Sequence, residues 1–369
     1  MNTFNRLIAG AFRLALEPKA ASFVTDSQQG FVTGRSMLAN IIEVDDSCHQ
    51  MYHDHHNAAA AVFFDFEAAF PSISQGFMWE VLEGFGMPVS WVKAISFLYA
   101  DNYQQLKLGG QVLPGFSATS GVRQGCPLSP LLFALASDLL LRRIERHFPD
   151  CMLRAYADDT VMVLPHFRQL EQILQLFQEF ASISGLKLNL KKTVLVPLGT
   201  DQRHYRSFLQ KLCPDIEVAA AAKYLGMYLG PGAPDANWRE QEKKYSARCR
   251  LWSSPRIGNY QASKCYRIFC FSVLCFAMQF LHITPSLRTL ETKYLNVFVP
   301  SPGNSFLKGD LFTMGLWYDF PCFFPSMELT AEACKLRVFK DLQHTINFED
   351  RSTELNFAGL GYPEDHAHY

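Results

Sequence analysis

The stretch CMLRAYADDTVMVL, residues 151–164, places two adjacent carboxylates, Asp158 and Asp159, between two apolar runs that favour β-structure. Two such runs around a short polar centre predict a hairpin with the carboxylates at its turn. Adjacent carboxylates repel each other and are costly to remove from water, so apolar surroundings imply a compensating cation. The stretch therefore predicts a strand pair with a cation-binding turn.

A second apolar run, AAAAVFF at residues 58–64, leads into one more carboxylate, Asp65. A strand buried on both faces has this composition, although a buried helical segment has it too. Asp65 lies 93 residues before Asp158, so these carboxylates meet only if distant strands pair side by side. Mg²⁺ binds carboxylates together with substrate phosphates, and two ions about 4 Å apart stabilise in-line phosphoryl transfer. The residues alone thus favour a metal-dependent nucleotidyl-transfer site, while a lone structural aspartate is the alternative for Asp65.

Length and charge indicate a folded protein of two or three domains with one basic segment. The chain has 369 residues, 49% hydrophobic and 19% charged, with a net charge of −1. Residues 186–268 nevertheless carry 15 basic and 6 acidic side chains, a net charge of +9, and the flanking segments are acidic. This distribution fits a protein that binds a polyanion and keeps carboxylates for metal. A helix with a Lys/Arg-rich face exposed to solvent is the alternative explanation for this excess of basic residues.

The cysteines and the N-terminal residues indicate an intracellular protein. Ten cysteines occur without a C-x-x-C pair, and no signal-peptide pattern is seen, so we expect free thiols in a reducing compartment. The most apolar run, residues 268–283, is short for a membrane span and predicts a buried core helix. One cysteine and four histidines between residues 48 and 56 match zinc ligands in type but not in spacing, so we interpret this segment as an exposed connector.

Helical periodicity and turn residues predict the other elements. We expect helices at about 4–16, 36–52, 75–84, 89–100, 128–148, 168–184, 238–298 and 326–346, and short strands at 186–197 and 223–229. Pro18 is expected to end or bend the first helix, and Gly185 to end the helix at 168–184. Gly and Pro recur over 300–325, and the tail after residue 350 is expected to be loosely ordered.

Six motifs in order resemble the reverse transcriptases of non-LTR retrotransposons. They are QQGFVTGRS (28–36), FDFEAAF (64–70), SGVRQGCPLSP (120–130), YADD (156–159), GLKLNLKKT (185–193) and KYLG (223–226). The resemblance runs from about residue 22 to 230, and more weakly through 240–300. It implies an α+β right-hand polymerase, with partial fingers at 1–57, a palm at 58–230, a basic helical thumb at 231–300 and a C-terminal extension at 301–369.

The resemblance also implies a metal site. Asp65 and Asp158 would bind two Mg²⁺ ions, for which Mn²⁺ is a possible substitute, and Asp159 would support them. Lys192 would stabilise charge or donate a proton near the pyrophosphate. Lys191 is its rival for this role, and a solvated lysine at a strand end is the alternative.

The remaining motif residues are implied to contact nucleotide and template. The backbone of Phe66 would approach a metal, and Phe70 would block a 2′-hydroxyl and so favour deoxynucleotides, unless it serves core packing. Gln124 and Gly125 would contact the incoming nucleotide, and a glycine lets the template backbone come close; an ordinary turn is the alternative. Arg35 would touch the triphosphate, or be a plain loop arginine.

The KYLG motif is implied to contact the primer. Tyr224, Leu225 and Gly226 would position the primer end, with simple strand packing as the alternative.

Pro71 stands where the family usually has aspartate, at a position that is not a metal ligand. Only about 25 residues precede the fingers loop, and neither an endonuclease domain nor a C-x₂-C knuckle is seen. We therefore expect that an upstream region or a separate endonuclease is missing.

The implied function is RNA-directed DNA synthesis by a retroelement, with an RNA template, a DNA primer and dNTP as partners and no membrane. The nucleus is a compartment that fits this function. One rival is a truncated, non-catalytic nucleic-acid-binding remnant or a splicing-type cofactor, which the short fingers favour. A second rival is an RNA-dependent RNA polymerase, which Phe70 disfavours because a small residue there would admit ribonucleotides.

Overall fold

A five-stranded sheet organises the first of two units, Met1–Leu225, and a helical arrangement follows in Gly226–Tyr369. The structure is a computed structural model that describes residues 3–100, 102–199, 202–253, 257–300, 305–317 and 323–342. The predicted tail after residue 350 lies outside these described residues. Helices and a mostly antiparallel sheet coexist, so the α+β class is confirmed.

The strand order of the sheet is β4-β5-β1-β6-β7. The strands are β1 (Ala60–Phe64), β4 (Met152–Tyr156), β5 (Asp159–Leu164), β6 (Val194–Pro197) and β7 (Glu217–Val218). Neighbours are antiparallel except β6 and β7, which are parallel. All five residues of β1 are buried, because the strand lies in the middle of the sheet. The predicted strand and the predicted hairpin are therefore confirmed.

Helices of the first unit surround this sheet. They are α1 (Thr3–Phe23), α2 (Met37–His55), α3 (Ala69–Ser72), α4 (Gln75–Gly84), α5 (Val89–Phe97), α6 (Ser129–His147), α7 (Leu170–Ser184) and α8 (Gln202–Leu212). The Phe177 ring of α7 stacks on Phe64 of β1, with 4.7 Å between ring centroids. Gly185 ends α7 with a left-handed φ of 79°, as predicted.

Three features of this unit differ from the prediction. The first helix continues through Pro18 to Phe23, since Leu16 and Ala20 are buried on either side of the proline. Residues 48–55 belong to α2 and Cys48 is fully buried, so this segment is helix and not a connector, although His53, His55 and His56 are exposed as predicted. Helix α8 was not predicted.

A two-stranded hairpin was also not predicted. It consists of β2 (Tyr103–Leu108) and β3 (Gln111–Ser117), and Leu106 pairs with Leu113 across it. Its two-residue turn is Gly109-Gly110, both with positive φ. A glycine pair is a known hairpin signal, because the favoured tight turn needs two left-handed residues. The sequence therefore contained the information for this hairpin.

The second unit begins with β9 (Met227–Leu229), and β8 (Ala222–Tyr224) ends the first. Its helices are α9 (Ala233–Trp252), α10 (Asn259–Cys265), α11 (Pro285–Phe298), α12 (Lys308–Trp317) and α13 (Met327–Leu342). Residues 268–283 were predicted as one core helix, and this prediction is wrong. The chain instead forms a π-turn at Tyr266–Cys270 and two 3₁₀ turns, Phe271–Val273 and Ala277–Gln279.

Tertiary contacts explain that difference. The buried ring of Tyr266 contacts Phe298 and Phe324, and its hydroxyl lies 3.0 Å from that of Tyr245. An apolar run without a polar face does not specify one helical register, so such contacts decide the backbone path. Among the described helices, none combines the length and the apolar character that crossing a membrane requires.

The chain divides into its two units after Leu225. The predicted boundaries at 57, 230 and 300, between fingers, palm, thumb and C-terminal extension, stay predictions.

Candidate active site

Three predicted carboxylates meet at one end of the central strands. Asp65 follows the last residue of β1, while Asp158 and Asp159 lie at the turn from β4 to β5. Since Phe64 pairs with Thr160 in the antiparallel register, Asp65 is placed beside the start of β5. The sheet thus brings together residues that are 93 positions apart in the sequence.

The close approach of these carboxylates changes their protonation. Loss of solvent raises the pKa of Asp158, and repulsion from Asp65 adds to this effect. Loss of solvent and repulsion from Asp158 and Asp65 raise the pKa of Asp159 to about 6. A cation at this turn would relieve the repulsion.

One oxygen of Asp65 is available for such a cation. Oδ2 of Asp65 is buried and has no hydrogen-bond partner. Its nearest counter-charge is Nζ of Lys192 at 3.8 Å, on a side chain that is 70% exposed. Within the described ranges, no group of three or more His, Cys, Asp or Glu is arranged to hold a metal ion by itself. The residues fit a hard cation that takes one or two carboxylates and completes its shell with substrate oxygens, as Mg²⁺ commonly does.

The GLKLNLKKT segment holds the backbone around Asp65 in place. The N–H of Asn189 donates to the carbonyl of Asp65 at 2.7 Å, and the N–H of Glu67 donates to the carbonyl of Lys187 at 2.8 Å. Phe66 forms an antiparallel bridge with Leu188, and its side chain is buried. This pairing fixes Asp65 from the side opposite the hairpin.

Phe70 lies next to the loop at residues 120–125. Its carbonyl accepts a hydrogen bond from the N–H of Val122 at 2.8 Å, and its half-buried ring lies 4.7 Å from that of Phe133. Gly121 approaches Pro71 so closely that a Cβ there would lie 2.5 Å from the proline Cα. Pro71, which replaces the aspartate usual in the family, therefore forms part of the contact with the loop at residues 120–125.

The tip of this loop is open to solvent. Gln124 and Gly125 are both exposed, and Gly125 has a left-handed φ of 74°. Nη2 of Arg6, on α1, would lie 3.4 Å from a Cβ at Gly125. Sequence reasoning missed Arg6, since no motif contains it, and the structure adds it as a cation beside this loop.

Phe31 is a second residue that the sequence analysis did not select. Its ring is 42% exposed and lies 6.1 Å from the ring of Tyr156 and 6.5 Å from that of Phe70. An exposed aromatic ring inside the QQGFVTGRS motif was a usable signal, because exposed aromatic rings are the usual stacking partners of bases.

Comparison with known proteins shows to which family the chain belongs. The family model described as reverse transcriptase (RNA-dependent DNA polymerase) matches residues 1–229. The chain belongs to the reverse transcriptase family. An uncharacterised 149 kDa protein of transposon TX1 from Xenopus laevis is 26% identical over 239 residues, 62% of this chain. A Pol polyprotein from the type-2 retrotransposable element R2DM of Drosophila melanogaster is 30% identical over 175 residues, 46% of this chain.

The chain spans less than a fifth of the length of these two relatives, 18% and 16% respectively. A solved structure of telomerase from Candida tropicalis in complex with a fragment of telomeric RNA is 12% identical. It covers 92% of this chain and 55% of that chain, with a TM-score of 0.46.

Arg35, in the QQGFVTGRS segment, is held by the main chain. Its Nη2 donates to the carbonyls of Val24 at 2.8 Å and Ala21 at 3.4 Å, and its Nη1 donates to those of Thr25 and Gln28. The side chain is 11% exposed. These acceptors belong to the end of α1 and the loop after it, where carbonyls lack helical partners. The structure therefore favours the loop arginine over the predicted triphosphate contact.

The predicted primer-positioning residues lie where the two units meet in the sequence. Tyr224 is buried, its hydroxyl donates to Oδ1 of Asn40 at 3.2 Å, and its ring lies 5.9 Å from that of Phe63. Its side chain thus supports the sheet, as the strand-packing alternative expected. Leu225 and Gly226 both have positive φ, 47° and 90°, and Gly226 is exposed.

Proposed function

We propose that this chain extends the 3′-hydroxyl of a DNA primer with dNTPs on an RNA template. The observation that carries the proposal is the meeting of Asp65 with Asp158 and Asp159 at one end of the central strands, with a buried oxygen on Asp65 that accepts no hydrogen bond. Membership of the reverse transcriptase family supports this choice of chemistry.

Asp65 and Asp158 would hold two Mg²⁺ ions, or Mn²⁺ in their place, and Asp159 would support them. When bound, such ions stabilise the attacking and leaving oxygens of an in-line phosphoryl transfer. The hydrogen bond from the N–H of Asn189 to the carbonyl of Asp65 fixes the main chain from which this carboxylate extends. Lys192, whose Nζ lies 3.8 Å from Oδ2 of Asp65, would donate a proton or balance the charge of the leaving pyrophosphate.

The neighbouring residues would select and place the nucleotide. Phe70 offers a half-buried ring beside the loop at 120–125, where it would exclude a 2′-hydroxyl. Gln124 and the left-handed Gly125 present an exposed turn that can contact the nucleotide and the template strand. The backbone of Leu225 and Gly226 would position the primer end.

Helix α9 of the second unit would contact the template–primer backbone. Arg239, Lys243 and Arg250 are exposed, and their spacing of four and seven residues places them on one face of the helix. Contacts of lysine and arginine with phosphates are independent of sequence and weaken as salt rises.

The test is primer extension on an RNA template with an annealed DNA primer, Mg²⁺ and dNTPs. The wild-type chain should extend the primer, and the Asp158→Ala, Asp159→Ala double variant should not, because it lacks the turn carboxylates. Asp150→Asn is the matched control, since it removes an exposed carboxylate eight residues away without touching the turn. Circular dichroism should show that all three proteins are folded.

The other outcomes separate the rivals. A folded wild-type chain that binds the duplex in a salt-dependent way but never extends it would refute catalysis and favour the non-catalytic remnant. Extension with rNTPs in preference to dNTPs would instead indicate an RNA polymerase.

A further inference from the structure

The loop before α2 pairs with the catalytic hairpin. Residues 27–29 run parallel to β4, the edge strand of the sheet, through a bridge between Gln28 and Ala155. The N–H of Gln29 donates to the carbonyl of Ala155, and the N–H of Ala155 donates to the carbonyl of Ser27, both at 2.7 Å. This motif, in which only Arg35 was expected to contact substrate, therefore pairs with the hairpin itself.

The side chain of Gln28 reaches the turn of that hairpin. Its Oε1 accepts from the N–H of Ala157 at 3.0 Å and from that of Gly30 at 2.9 Å. Its Nε2 donates to the carbonyl of Ala157 at 3.4 Å and to Oγ of Ser137 at 3.3 Å. Only the oxygen end can accept two N–H groups, so the orientation of the amide is determined. Gln28 is completely buried.

Ala157 needs such support. It precedes Asp158 and has a φ of 61°, a left-handed conformation that residues other than glycine rarely adopt. A conformation of this kind persists only when surrounding contacts hold it. Gln28 bonds both the N–H and the C=O of Ala157, and so holds the peptide groups on both sides of the strained residue.

The loop that carries Gln28 is itself anchored. The N–H and Oγ1 of Thr25 donate to Oδ1 of the fully buried Asp138 at 2.9 and 2.7 Å. Nε of Arg142 donates to the other oxygen of Asp138 at 2.7 Å, and Arg35 donates to the carbonyl of Gln28. A side chain on a fixed loop can impose a position on the turn that it contacts.

We propose that Gln28 is a positioning residue for the catalytic turn: its amide locks Ala157 so that the carboxylate of Asp158 faces Asp65. Gln28 acts through the main chain and does not touch the reacting atoms. The catalytic part of this proposal rests on the proposed function, whereas the hydrogen bonds of Gln28 do not depend on that function.

The test compares Gln28→Met with Tyr205→Phe in the full chain. Methionine keeps the length of the side chain and removes its hydrogen bonds. Tyr205 is equally buried, and its hydroxyl donates to the carbonyls of Asn57 and Ala59, next to the opposite end of β1 from Asp65. Both variants lose buried bonds to the main chain, but only Gln28→Met loses those of the turn.

Two readouts avoid dependence on catalysis. Hydrogen exchange of peptides spanning residues 152–164 reports the turn, and Mn²⁺ titration followed by electron paramagnetic resonance reports the carboxylates. Gln28→Met should exchange faster at the turn and bind Mn²⁺ about 10-fold more weakly, as when a group supporting metal ligands is lost. Tyr205→Phe should behave as the wild type in both. In primer extension, Gln28→Met should lower kcat and leave the Kd for template–primer unchanged.

Wild-type exchange and Mn²⁺ affinity in Gln28→Met would overturn the proposal. Equal losses in Tyr205→Phe would overturn it too, because they would show that general destabilisation is the cause. A wild-type chain that binds Mn²⁺ normally but does not extend primers would refute the proposed function, while the two readouts would still decide the role of Gln28.

Discussion

Replacing Gly30 with alanine tests whether the position of the catalytic turn controls activity. An ideal Cβ on Gly30 would lie 2.3 Å from the nitrogen of Ala157 and 2.9 Å from the carbonyl carbon of Tyr156. Ordinary contact begins at about 3.4 Å, so the loop and the turn must separate by about 1 Å. Gly30 does not have a left-handed φ, so alanine meets no backbone penalty there and the clash alone is tested.

The expected loss follows from this displacement. Both atoms in the clash belong to the main chain, which cannot rotate away as a long side chain can. A misplacement of 1 Å in a catalytic site costs on the order of 10²-fold in rate. Overpacking of this kind also lowers the free energy of unfolding by about 1–3 kcal/mol. We therefore expect Gly30→Ala to remain folded and to extend primers about 100-fold more slowly.

The assay is single-turnover primer extension with saturating dNTP, alongside chemical denaturation. Gly199→Ala is the matched control, because its Cβ would lie 2.6 Å from Cα of Asn57, next to the end of β1 that is remote from Asp65. It should lose similar stability and keep its rate. A rate for Gly30→Ala close to that of the wild type, or an equal loss in Gly199→Ala, would refute the reasoning.

Three further predictions follow from other contacts. Phe70→Ala should raise the preference for rNTP over dNTP by about 10- to 100-fold in competition assays. The control Phe133→Leu should disturb packing and leave that preference unchanged. An unchanged preference in Phe70→Ala would assign Phe70 to the core. Arg35→Ala should lower the free energy of unfolding by about 2–3 kcal/mol and leave the KM for dNTP unchanged, and a raised KM would restore its predicted triphosphate role. The carboxylate of Asp45, whose Oδ2 lies 3.6 Å from Nε2 of His49, favours the protonated ring and raises the pKa of His49. The stabilisation from this contact is complete below the unfolded pKa of about 6.5 and is lost as pH rises through the folded value. Denaturation of His49→Gln should therefore show its largest deficit near pH 5.5 and a smaller one at pH 8; a deficit independent of pH would contradict this.

Local sequence pattern was sufficient for most elements of the first unit. The helix predicted at 75–84 is α4, Gln75–Gly84, because its apolar spacing and the capping Ser74 agree. The buried strand β1 and the hairpin of β4 and β5 were also predicted, since continuous apolar runs on both sides of a polar turn allow few other structures. The apolar run at residues 268–283 has no polar face, so its pattern did not specify one helical register. The prediction of a single helix there was wrong for this reason.

In the candidate site, too, some residues could be predicted from the sequence and others could not. Asp65, Asp158 and Asp159 could be selected from the sequence because carboxylates beside long apolar runs need a chemical reason. The roles of Arg35 and Gln28 were not visible, since the sequence shows a side chain but not its acceptors. Arg35 was expected either to touch a triphosphate or to be a plain loop arginine, and only the structure shows that it donates to four main-chain carbonyls.

The sequence by itself determined the chemistry of this protein: which carboxylates are placed in apolar surroundings, which aromatic residue follows them, and which segment is basic. The tertiary structure alone decided the partners, because strand register sets Asp65 beside the turn and loop packing sets Gln28 on Ala157. Hydrogen bonds between residues more than a hundred positions apart depend on distances that only the folded chain defines.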